Sequence, residues 1–139
     1  MAMTAKKLYR ARLPAKPEQL KKIRDAVKSV ASNLYCNEDL QREVVLAVDE
    51  ACCNIIRHAY GGGDGDIVFE ILQEDKHLLL RIQDFAAPID TKQLKPRNLS
   101  DLRPGGLGLH FMRQVMDEVR FSTAPDGSGN ILEMRKKLG

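Results

Sequence analysis

VDEACCNIIRHAY, residues 48–60, is the stretch from which the rest of the chain is read. Small and apolar residues dominate it, as in a helix meant for an interior, yet it carries Glu50, Asn54 and His58 at intervals of four. On an α-helix four residues turn through about 400°, so these polar groups fall along one slightly drifting line. A buried carboxylate is costly unless paired or bound to a metal, and a carboxamide needs its hydrogen bonds met. Two accounts are open. Either the three side chains satisfy one another and nearby backbone groups, or they line a site. In that site Asn54 offers a hard oxygen to Mg²⁺ and Glu50 accepts a proton from an attacking hydroxyl.

Asn37 is the predicted N-cap of this helix, whose apolar face holds Leu40, Val44, Ala47, Val48, Ala51 and Ile55. Before it, Pro17 opens an amphipathic helix running to about Leu34, and KKLYRARL, 6–13, reads as an edge strand ending at Pro14. After it, the glycine cluster 61–66 stops the helix, and IVFEIL (67–72) and HLLLRIQDF (77–85) form a hairpin about a polar turn. Residues 86–103 contain Pro88 and Pro96 and show little periodicity, as in a functional or mobile loop. PGGLGLHFMRQVMDEV, 104–119, then predicts a helix with Leu109, Met112, Met116 and Val119 on one side, and VRFST and NILEMRKKL close the chain as a second hairpin. No repeat or linker interrupts the order β-α-α-β-β-loop-α-β-β. The expectation is one domain, residues 1–139, of α+β class. It is a two-layer sandwich with a mixed, mostly antiparallel sheet covered on one face by three helices.

The totals narrow the function. At 139 residues the chain can bury a sizeable core, and 43% hydrophobic with 29% charged residues are globular values that argue against disorder. A net charge of +3, mixed along the chain apart from Arg135-Lys136-Lys137, and 5% aromatics without Trp give no nucleic-acid footprint. No stretch approaches the ~20 apolar residues of a membrane span and no signal-peptide core is present, so a cytoplasmic location is expected. Cys36, Cys52 and Cys53 are odd in number with no C-x-x-C pair, and read as small core hydrophobes in a reducing compartment.

Asp84 closes the alternating strand of Leu78, Leu80 and Ile82 where it opens into the long loop. There it can cap its own turn or accept a hydrogen bond from an exocyclic amine such as that of adenine. Gly105-Gly106-Leu107-Gly108 precedes a helix, and such glycines let amides at a helix N-terminus approach phosphate; they serve equally as a plain turn. Arg103 beside them meets phosphate charge or solvent. There is no P-loop, nucleophile elbow, H-E-x-x-H or zinc spacing.

Taken in order, E-x-x-x-N on a helix, an Asp closing a strand, a proline-bearing loop and G-G-x-G-L opening a helix resemble the gyrase, histidine kinase and mismatch-repair ATPase superfamily. Within it, VDEACCNIIRHAY is similar to the E-A-x-x-N-I-I-x-H-A-Y box of the anti-sigma factor serine kinases. IQDFAAPID, GGLGLHFMRQVMDEV and the late GSGNILEMRKKL support it, and the likeness spans about Leu8 to Leu138. It implies a histidine kinase-like ATPase fold with ATP and Mg²⁺. Glu50 is then the general base, Asn54 the Mg²⁺ ligand and Asp84 the adenine-recognising carboxylate. Arg103, Gly105, Gly106, Leu107, Gly108 and Leu109 join the nucleotide site, residues 86–104 form its lid, and His58 and Tyr60 are structural supports.

The activity implied is transfer of the γ-phosphoryl of ATP to a serine of an anti-anti-sigma (STAS) partner, together with sequestration of a sigma factor. Dimerisation through the first strand and helix is carried over from the family alone. An alternative is a non-catalytic anti-sigma binding module that keeps the fold; a free-standing ATPase would need an output domain that nothing here supplies. Two positions depart from the pattern. Ala86 stands where the family carries glycine close to the nucleotide; a methyl there either only tightens the adenine site or overpacks against the ring and weakens ATP by about ten- to a hundredfold. Asn130 stands where many relatives carry threonine.

Overall fold

The computed structural model describes residues 5–34, 36–87 and 111–138. Strand β1, Lys6–Pro14, leads through a 3₁₀ turn at Pro17–Gln19 into helix α1, Leu20–Asn33. Helix α2 spans Glu38–Asn54 and continues as a π-helical turn, Ile55–Ala59. Strands β2, Asp66–Glu74, and β3, His77–Asp84, form the first hairpin; residues 111–115 are helical; β4, Glu118–Thr123, and β5, Asn130–Lys137, form the second. The elements expected from periodicity are present in the expected order.

Local chemistry accounts for the boundaries. Asn37 Oδ1 accepts a hydrogen bond from the Leu40 amide at 2.8 Å, the N-cap that starts α2, and Glu38 and Asp39 place negative charge at its positive end. The last helix ends earlier than its apolar spacing suggests, at residue 115. The Met116 amide still bonds to the Met112 carbonyl, but the Asp117 amide turns to Arg135 of β5, so Val119 is buried from strand β4 and not from the helix.

The sheet runs β1-β2-β3-β5-β4, and its four pairings are all antiparallel. Phe69 and Ile71 of β2, Leu78, Leu80 and Ile82 of β3 and Met134 of β5 face Ile23 and Val27 of α1 and Val44 and Val48 of α2 in one core. The opposite face is closed by charge. Glu70 lies 2.8 Å from Lys7 and within 4 Å of Arg10 and Arg81, Arg81 also reaches Glu133, and Arg135 reaches Glu74 at 2.7 Å. Val68, Leu72 and Leu79 share this face with the ion pairs and are buried although they point away from the helices. No helix among the described residues is long and apolar enough to cross a membrane.

Candidate functional site

Glu50 and Asn54 occupy the last two turns of α2. The Glu50 side chain is 29% exposed, and its Oε1 lies 3.9 Å from Nη2 of Arg57. Asn54 Oδ1 is buried and has no hydrogen-bond donor among the described residues. The opening line of polar groups breaks immediately afterwards. From Ile55 the ladder changes to i→i+5 bonds, seen in the Tyr60 amide donating to the Ile55 carbonyl at 3.0 Å, and the helix widens. His58 is therefore carried off the line and is exposed. It does not satisfy Asn54, so the reading in which the three side chains simply satisfy one another is not realised.

Tyr60 follows the π turn and ties it to both ends of the first hairpin. Its hydroxyl donates to the Asp66 carbonyl at 2.7 Å and accepts from the Phe85 amide at 2.7 Å. Its ring occupies the space above Gly65, where a Cβ would lie 2.2 Å from Cε1. Burial pushes the Tyr60 phenol up from its ordinary pKa, with the charge of Asp84 acting in the same direction. The C-terminal end of α2 and the C-terminal end of β3 are thus pinned at one end of the domain.

Asp84 lies there, 3% exposed on the helix-facing side of the sheet. Its Oδ1 accepts from the Ala86 amide at 3.0 Å, a local turn, and from Nδ2 of Asn130 at 2.9 Å. Asn130 is its direct cross-strand partner and bonds onward to the Ala87 carbonyl at 3.1 Å. The capping role weighed for Asp84 is therefore real and occupies Oδ1; Oδ2 makes no hydrogen bond among the described residues. The neighbouring Gly129 is there for space, since a Cβ would sit 1.9 Å from the Asp84 carbonyl oxygen. Gly129 and Asn130, which the sequence marks only as part of the late box, are positioning residues for Asp84. Their signal was the strand register, which places Asn130 opposite Asp84.

Arg103, Gly105, Gly106, Leu107, Gly108 and Leu109, with the lid from 88 to 104, lie outside the described residues. Of the three cysteines, all free, Cys52 is buried in the core as expected, whereas Cys36 and Cys53 are half-buried. Burial raises the pKa of all three thiols.

Among the described residues no three His, Cys, Asp or Glu side chains are grouped to hold a metal. One buried amide oxygen without a donor suits a hard cation that draws its other ligands from phosphates and water, as Mg²⁺ does. A carboxylate one helical turn away, partly exposed, can take a proton from an incoming hydroxyl.

Known proteins fit this geometry. The pattern of the histidine kinase-like ATPase domain matches residues 13–136. This chain belongs to that family. Similar relatives are the serine-protein kinases RsbW of Bacillus pumilus, 34% identical over 94% of this chain and 86% of the relative, and of Bacillus subtilis, 32% identical over 91% and 83%. Among solved structures, the SiaB–SiaC complex of Pseudomonas aeruginosa contains a chain that superposes with a TM-score of 0.68 at 19% identity, covering 94% of this chain and 90% of that one. A blue-light activated histidine kinase of Erythrobacter litoralis superposes at 0.58 and 17% identity, over 87% of this chain and 60% of that one. These superpositions give the histidine kinase-like ATPase fold, and the RsbW relatives put the chain on a serine-protein kinase branch of the family.

Proposed function

We propose that this chain, as one histidine kinase-like ATPase domain over 1–139, is an anti-sigma factor kinase. It transfers the γ-phosphoryl of ATP to a serine of an anti-anti-sigma (STAS) protein and also holds a sigma factor. The observation that carries the reading is the buried, unbonded Asn54 Oδ1 one turn after Glu50, in a chain 34% identical to a serine-protein kinase. An unsatisfied buried acceptor costs about 1–3 kcal/mol, a cost that a ligand at this position removes.

In the reaction the serine Oγ bonds to the γ-phosphorus, the bond from phosphorus to the β,γ-bridging oxygen breaks, and ADP leaves. Glu50 takes the hydroxyl proton. Its partial exposure lets a macromolecular acceptor reach it. Asn54 Oδ1 would hold Mg²⁺, which when bound neutralises phosphate charge. Asp84, fixed at Oδ1 by Asn130 and the Ala86 amide, offers Oδ2 to the base. Arg103 and Gly105 to Leu109 would meet the phosphates. A homodimer through the first strand and helix, carried over from the family alone, belongs to the same proposal, and neither a nucleic acid nor a membrane is a partner in this reading.

Incubation with labelled ATP, Mg²⁺ and a purified STAS acceptor tests it. Glu50→Gln should keep Mg-ATP bound while transfer falls at least about a hundredfold, the usual worth of a positioned base. Transfer by that variant at the normal rate would remove Glu50 from the role.

A further inference from the structure

The side chain one turn before Glu50 on the same helix is Leu46, 49% exposed. Among the described residues it and Phe85 are the exposed large apolar side chains, and Phe85 already carries the guanidinium of Arg12 over its ring at 4.8 Å. On a helix surface the neighbours of a residue stand three and four positions away. For Leu46 these are Arg42, Glu43, Asp49 and Glu50, all charged. Each is already paired within the chain: Arg42 with Asp39 at 2.8 Å, Glu43 with Lys136 at 3.7 Å, Asp49 with Arg24 at 2.8 Å and Glu50 with Arg57 at 3.9 Å. The result is an apolar centre inside a ring of matched charge, the pattern of an interface core with a polar rim.

We infer that Leu46 is the apolar anchor on which the phosphorylated protein docks, receiving an apolar side chain of the acceptor next to its reacting serine. The inference rests on the kinase reading above. Leu46 lies about 6 Å along the helix axis from Glu50. A protein that brings a hydroxyl to Glu50 must cover its surroundings, because a specific interface buries about 800 Å² per partner. Since the rim charges are already neutralised in pairs, what the surface still offers an occupant is burial of Leu46.

The test uses the full chain and a STAS acceptor, following steady-state transfer and, separately, calorimetric binding of acceptor in Mg-ADP. Burying half a leucine side chain corresponds to about a fivefold change in affinity. Leu46→Ala should raise the acceptor KM about fivefold and Leu46→Asp more than tenfold, with kcat at saturating acceptor within about twofold of normal and ATP affinity unchanged. Leu46→Met should keep the normal KM, separating a docking role from a general loss of folding. Unchanged acceptor KM and Kd in Leu46→Asp would overturn the inference. A chain that binds acceptor without phosphorylating it would instead overturn the kinase reading, and the Leu46 variants would still decide the surface through Kd.

Discussion

Replacing Gly129 by alanine tests the part of the site that the sheet builds. Gly129 is one of two glycines close together in the β4–β5 turn, and the two differ in what constrains them. At Gly129 the backbone φ is ordinary, but a methyl would lie 1.9 Å from the Asp84 carbonyl oxygen and 2.8 Å from the Phe85 Cα, contacts that both belong to backbone. Strands β3 and β5 must part by roughly 1 Å to admit it, given that Cβ contacts under 3.0 Å are essentially never made. Overpacking of this kind costs about 1–3 kcal/mol. The same movement stretches the 2.9 Å bond from Asn130 to Asp84 beyond hydrogen-bonding range, and a hydrogen bond to a charged group is worth about 1.5–3 kcal/mol. Gly129→Ala should therefore lose about 3–5 kcal/mol in urea unfolding, and ATP affinity should fall at least tenfold because the Asp84 carboxylate is no longer held. Gly127 is the control. Its φ of +74° strains any side chain, but nothing lies within 4 Å of a methyl there, so Gly127→Ala should lose about 1 kcal/mol and bind ATP normally. If Gly129→Ala unfolds and binds ATP like the parent, Asp84 does not depend on the close approach of β5.

Tyr60→Phe removes one donor and one acceptor contact and should cost about 1–3 kcal/mol. The folded phenol keeps its proton above the ordinary value of 10.0, so the folded state binds more protons once the unfolded chain begins to ionise. Stability contributed by Tyr60 is then complete below about pH 10 and falls as pH rises through the folded pKa, a decline that Tyr60→Phe should lack in unfolding titrations. The cysteines give a third test. With burial raising all three thiols, native protein at pH 8 should react slowly with a thiol reagent, Cys52 slowest, and all three should react at once in urea. Fast labelling of Cys52 in the folded chain would contradict its place in the core.

Much of this architecture is legible in the residues because local rules and packing agree. Asn37 caps α2 as its side chain predicts, the alternation of Leu78, Leu80 and Ile82 puts one face of β3 in the core, and the glycine cluster ends the helix. The site is legible where helical spacing is kept, from Glu50 to Asn54, and fails one turn later. The π turn at Ile55 leaves no mark in the apolar period, so the four-residue spacing puts His58 on a line it does not follow. Asn130 was out of reach for another reason. Its contact with Asp84 spans 46 residues and follows only from pairing β3 with β5 in one register. The outer sheet face shows the same limit, since Val68, Leu72 and Leu79 look like surface positions until the ion pairs above them are known.

If the orphaned oxygen of Asn54 faces a nucleotide's metal ion, calorimetric titration with ATP, with and without Mg²⁺, will show it. The parent chain should bind ATP tightly only with Mg²⁺. Asn54→Leu, nearly the same shape without the unbonded acceptor, should be at least as stable without ligand yet lose that Mg²⁺-dependent binding by a hundredfold or more. No heat from the parent at millimolar Mg-ATP, or equal Mg²⁺-dependent affinity in Asn54→Leu, would mean that Asn54 Oδ1 does not meet the ion.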